Sequence, residues 1–121
     1  MANDNMRLDD NDDLHLFGSK VLRAVIDSAG TGDVTIVAAV AGKRIRVVST
    51  QFKAAGVVST KWTSSAAGTT IDGVQSNVDG SGQQLSLNPA GWFETIAGEA
   101  LVLNKTAAVQ VGGSLLYTLE D

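Results

Sequence analysis

The run KRIRVVSTQF at residues 43–52 alternates polar and apolar side chains, and the same period of two returns in short blocks along the chain. Successive side chains of a strand point to opposite faces, so Ile45 and Val47 face one way while Arg44 and Arg46 face the other. Phe52 joins the apolar face only if the alternation slips at Val48. Residues 20–27, 34–40, 57–64, 83–87, 92–95, 99–104 and 113–119 read in the same manner, and none carries the period of an amphipathic helix. Residues 65–82, rich in Gly, Ser, Asn and Asp, read as a long loop with one weak strand at 71–74. The chain has 13 glycines and one proline, which suits turns, because glycine takes positive φ at no steric cost.

About eight short strands at this spacing predict an all-β fold, an antiparallel two-sheet sandwich of jelly-roll-like order. The Cys and Trp framework of an antibody domain is absent, which disfavours the immunoglobulin order. Ala38, Ala39, Ala54 and Ala55 are weak strand formers, so a second sheet or a second subunit is expected to press closely on the faces that carry them.

A chain of 121 residues corresponds to about one domain, large enough to bury roughly two thirds of the surface exposed by its unfolded form. A hydrophobic fraction of 44% against 18% charged places it among folding globular chains. It has no cysteine, so disulfides and thiolate metal sites are excluded and stability must come from packing or association. The start is acidic rather than basic and apolar, and no run reaches the roughly 20 apolar residues of a spanning helix, so no membrane partner is expected.

Charge divides the chain into an expected flexible acidic arm, residues 1–17, and a β-sandwich domain, residues 18–121. Asp4, Asp9, Asp10, Asp12 and Asp13 against Arg7 sum to the whole formal net charge of −4, which leaves the body neutral. Acid-rich polar segments stay unfolded until a partner supplies a surface, so these six residues are candidates for a docking arm, or else a solvated tail.

Few constellations could carry chemistry. His15 is the only histidine, and there is no Gly-x-Ser-x-Gly elbow, which argues against triad hydrolysis and against zinc within one chain. Asp9, Asn11 and Asp13 copy the first ligands of a calcium loop, but Leu14 stands where its glycine belongs and Lys20 where its glutamate belongs. Asp72-Gly73 and Asp79-Gly80 are turn signals before they are ligands, and Gly30-x-Gly32 precedes a strand, which reads as a hairpin turn and not a phosphate cradle. Arg44 and Arg46 share a face that could meet an acidic partner or nucleic acid, though a solvated strand face is favoured because the chain is acidic overall. Glu94 and Glu99 flank a turn, but the chain is too poor in aromatics for a sugar-hydrolysing cleft or a nucleic-acid stacking platform. No catalytic residue, cofactor, metal or nucleic-acid partner is expected.

Residues 88–95, NPAGWFET, set two large rings side by side after a turn. Neighbours on a strand face opposite ways, so one of Trp92 and Phe93 should fill the core and the other the outer face or a subunit contact. With Trp62 and Tyr117 they are the candidate core or interface anchors.

The second half carries Pro89 and Gly91, then Trp92-Phe93, then Gly98-Glu99 leading to Leu101, Leu103 and Asn104, then Val111-Gly112-Gly113 and Tyr117. With the upstream stretch 40–47 around Gly42-Lys43, this pattern resembles small β-sandwich virion proteins of tailed bacteriophages, the head decoration (cement) or fibre-type proteins. The resemblance covers residues 20–120 and leaves out the acidic arm. It implies a structural virion protein, made in the host cytoplasm and bound on the outer capsid surface to the major capsid protein as a homotrimer. The alternative is a carbohydrate- or receptor-binding module of a head or tail fibre, with Gln75, Asn77 and Asp79 supplying the polar half of its site.

Overall fold

A computed structural model of the chain describes residues 6–8 and 14–121. Twelve strands and no helix are present among these residues. They are β1 (Met6–Leu8), β2 (Leu14–Leu16), β3 (Ser19–Lys20), β4 (Leu22–Ser28), β5 (Gly32–Val37), β6 (Arg44–Ala54), β7 (Val58–Ser64), β8 (Thr69–Asn77), β9 (Gly82–Leu85), β10 (Phe93–Glu94), β11 (Leu101–Lys105) and β12 (Val111–Glu120). Two sheets form the sandwich, β4-β12-β6 with β9 and β10 sharing the far edge of β6, and β5-β11-β7-β8, while β1-β2-β3 form a small third sheet. All pairings are antiparallel. The chain passes repeatedly from one sheet to the other, at β4–β5, β5–β6, β6–β7, β8–β9, β10–β11 and β11–β12, so the fold is the expected antiparallel sandwich, compatible with a jelly roll. The Gly30/Gly32 turn is accordingly a corner between sheets and not a hairpin within one.

The core forms where the inward residues of both sheets meet. Ile45, Val47, Phe52 and Ala54 of β6 and Leu115 of β12 face Trp62 of β7 and Leu101 and Leu103 of β11. The Trp62 ring is the pivot, edge-on to Phe52 at 6.4 Å and tilted against Phe93 at 5.8 Å between centroids. Side chains of this size contribute about 1.5–3 kcal/mol each when buried. Of these three rings only that of Trp62 has a polar atom, and its Nε1 donates to Gln83 Oε1 at 2.9 Å. Gln83 Nε2 in turn donates to Asp72 Oδ2 at 2.7 Å, so a hydrogen-bonded chain ties β7, β9 and β8 together.

The slip expected at Val48 is a β-bulge: Tyr117 pairs with Val47 and Leu116 with Ser49, which leaves Val48 as the extra residue. Two other expectations change. The weak strand expected at 71–74 within the loop 65–82 is longer than expected: it is β8, nine residues paired to β7. Ala38 and Ala39 lie beyond the end of β5 and are exposed, and Ala55 is exposed as well, so among the described residues none of the three is covered, whereas Ala54 is buried as expected.

Within the stretch read as an arm, β1 and β2 pair with each other, and β2 pairs with β3 across the boundary drawn at residue 17. Leu16 is buried, and Phe17 and Gly18, both at positive φ, form the two-residue turn between β2 and β3.

Lys105 follows Leu101 and Leu103 on the inward face of β11 and is 2% exposed. Its ammonium donates to the Ser28 carbonyl at 2.6 Å and to Ser28 Oγ at 3.1 Å, which links β11 to β4 across the sandwich. Burial pushes its pKa below the ordinary lysine value.

Candidate functional site

The bulge at Val48 builds the most distinctive surface of the molecule. In a regular strand, successive carbonyls point to opposite edges, but a bulge turns two neighbours the same way. Val48 O accepts from Asn88 N–H and Val47 O from Trp92 N–H, each at 2.8 Å, so adjacent carbonyls of β6 hold both ends of the turn 88–91. The turn closes through Gly91 N–H to Asn88 O at 2.8 Å, with Pro89 setting the first corner. Asn88 Oδ1 also accepts from Ala90 N–H at 3.1 Å, and its amide donates to Gly91 O at 3.2 Å. Gly91 has φ of 88°, and a Cβ there would lie 2.4 Å from Arg46 Cγ, so both the backbone and the arginine stem require glycine.

From this turn the two rings diverge. Phe93 points inward onto Trp62, and Trp92 points outward with 45% of its surface exposed. The outward ring is fixed, because Trp92 Nε1 donates to Ser86 O at 2.7 Å. Arg46, Ala90, Gly91, Trp92, Phe93 and Glu94 line a depression beside it. Glu94 lies opposite Arg46 across the β10–β6 ladder, with its Oε2 3.5 Å from Arg46 and 3.8 Å from Arg44. The basic patch read from the sequence is therefore half neutralised by Glu94. Arg44 also donates to the Asp121 carbonyl at 2.7 Å, and Lys43 bonds the Asp121 side chain and holds that carboxyl below the usual range. The site offers a hydrogen-bonded, half-exposed indole next to an ion pair, a surface for contact more than for bond making.

The other anticipated residues separate. Trp62 is wholly buried and Tyr117 half-buried against the core, so of the four aromatic anchors only Trp92 faces solvent substantially. Asp4, Asp9, Asp10, Asp12 and Asp13 lie outside the described residues, and Arg7 is described only by its pairing with His15. Asn77 is buried, its amide donating to Val58 O and Thr60 Oγ1, which removes it from any surface polar cluster with Gln75 and Asp79. Glu94 and Glu99 serve different partners, since Glu99 accepts from Ser64 Oγ at 2.6 Å. Among the described residues no three His, Asp or Glu side chains gather where they could hold a metal ion.

Sequence reasoning missed Asn88 and Lys105. Asn before Pro is a turn-starting signal that the NPAG run contained, and Lys105 continues the inward set Leu101, Leu103 at a spacing of two. Comparison with family models, with curated proteins and with solved structures gives no match to this chain.

Proposed function

We propose that this chain is a structural virion protein, a capsid decoration protein that binds the major capsid protein on the outer surface of a tailed-phage head. It works as a homo-oligomer, without a cofactor and without chemistry of its own. The observation that carries the reading is Trp92, a large ring held half in solvent by a hydrogen bond to Ser86 O on a turn clamped to the central strand β6. A rigid tryptophan at a surface loses little entropy on contact, and such residues are typical anchors of protein interfaces. The neutral body beside an acidic N-terminal stretch supports the same reading, because each copy in an oligomer adds a weak contact and avidity multiplies them.

Cosedimentation with expanded phage capsids tests this. The full chain should pellet with capsids, and a version lacking residues 1–13 should pellet less at limiting concentration. Equal pelleting of the two forms would remove the docking-arm component, and no pelleting of either would remove the capsid assignment.

Trp92 beside Arg46 and Glu94 also supports a second reading, a carbohydrate-binding module of a head or tail fibre, since sugars stack on exposed indoles flanked by polar groups. A glycan array separates the two: Trp92-dependent glycan binding without capsid binding favours the second.

A further inference from the structure

The four edges of the sandwich are not equivalent. On β5, Leu101 pairs with Val37 and Val102 with Thr35, so Ile36 is an extra residue that bulges the strand. On β8, Thr60 pairs with Gln75, Trp62 with Asp72 and Thr63 with Thr70, so the strand gains an extra residue twice. The edge shared by β9 and β10 is broken by the turn at residues 86–92. Bulges and interruptions of this kind keep an edge from pairing with another chain. The β4 edge has none of them: its seven residues pair with β12 in unbroken register from Leu22–Tyr117 to Ser28–Val111.

The outward side chains of β4 are Arg23, Val25 and Asp27, all exposed, and Val25 is 63% exposed. An antiparallel copy of the same strand, centred on Val25, would set Arg23 opposite Asp27 of the second chain, Asp27 opposite its Arg23, and Val25 opposite Val25. The order Arg-x-Val-x-Asp is thus complementary to itself about a two-fold axis. Among the described residues Arg23 has no ion-pair partner, and Asp27 uses Oδ1 to accept from Gln110, leaving Oδ2 for a second donor. The pairing also has natural stops. Val21 N–H donates to Leu14 O, so β2 occupies the edge just before Leu22, and the chain leaves for the other sheet after Ser28.

We propose that the β4 edge joins two copies of this chain in a symmetric dimer, a continuous sheet crossing the interface through β4–β4 pairing. The proposal stands independently of what the assembled protein binds, and it replaces the trimer that the resemblance implies with a two-fold assembly.

Light scattering coupled to size exclusion, with sedimentation equilibrium for affinity, tests it on the full chain. The unmodified protein should have the mass of two chains. Arg23→Asp and Asp27→Arg should each weaken self-association about tenfold, because each replaces two attractive cross-strand pairs with two repulsive ones. An equimolar mixture of the two variants should recover the two-chain mass, since one chain then carries two acidic side chains at these positions, the other two basic ones, and both cross-strand pairs are attractive again. That recovery also shows that both variants are folded. A mass of one chain or of three for the unmodified protein, single variants that associate as tightly as it does, or a mixture that stays monomeric overturns the proposal.

Discussion

The two tryptophans put the same side chain to opposite uses. Trp62 is 1% exposed and central to the sandwich, set between Phe52 and Phe93 with its indole N–H spent on a buried glutamine. Trp92 is 45% exposed at the edge, with its N–H spent on a loop carbonyl. Both donors are satisfied, so hydrogen bonding does not distinguish them, and the difference lies in what the ring faces contact. On the function proposed above, a ring half outside the core and hydrogen-bonded to a loop carbonyl serves as the contact residue.

The largest expected effect lies on the buried side. Trp62→Ala should destabilise the fold by about 3–5 kcal/mol, from lost burial and the cavity left between Phe52 and Phe93, read by urea unfolding. A loss below about 1 kcal/mol would mean that the sandwich does not depend on this pillar.

Gly91→Ala probes the link between the two regions, because it acts on the turn that separates the rings. A left-handed backbone at alanine costs about 1–2 kcal/mol, and the new Cβ must displace the Arg46 stem. The expected result is a stability loss of that size with a changed Trp92 fluorescence, while the near-ultraviolet signal of the core is kept.

Lys105 offers a smaller, pH-dependent test of the core. Its folded pKa lies below its unfolded one, so in the alkaline window just under the ordinary lysine value the unfolded chain binds more protons. Stability from this group therefore rises with pH through that window. Lys105→Met should shift stability at neutral pH by less than about 1 kcal/mol, because a desolvated charge and its two hydrogen bonds leave together. The variant should also lack the alkaline rise, measured as the difference between the two unfolding curves at each pH.

Much of the fold was legible because alternation is a local property. The strand KRIRVVSTQF showed its own bulge through the doubled valine, and the opposite facing of Trp92 and Phe93 followed from strand geometry. What was not legible depends on distant partners. Residues 69–77 read as loop with only a weak strand at 71–74 because Gly, Ser and Asn weaken the strand signal, and two bulges break the alternation that remains; pairing with β7 makes them a strand all the same. Which ring faced out was decided by Trp62, which closes the inner side over Phe93 from the opposite sheet. The turn that displays Trp92 depends on two carbonyls some forty residues upstream, a contact that no window along the chain can reveal.

If Trp92 is a contact residue and Trp62 a folding residue, Trp92→Ala separates the two roles most directly. Its thermal unfolding and its cosedimentation with expanded capsids should be measured on the same preparation. Stability should fall by about 1–2 kcal/mol, from the buried half of the ring and the hydrogen bond to Ser86 O, clearly less than for Trp62→Ala, while most capsid binding is lost. A folded Trp92→Ala protein that pellets with capsids as well as the unmodified chain would refute the division.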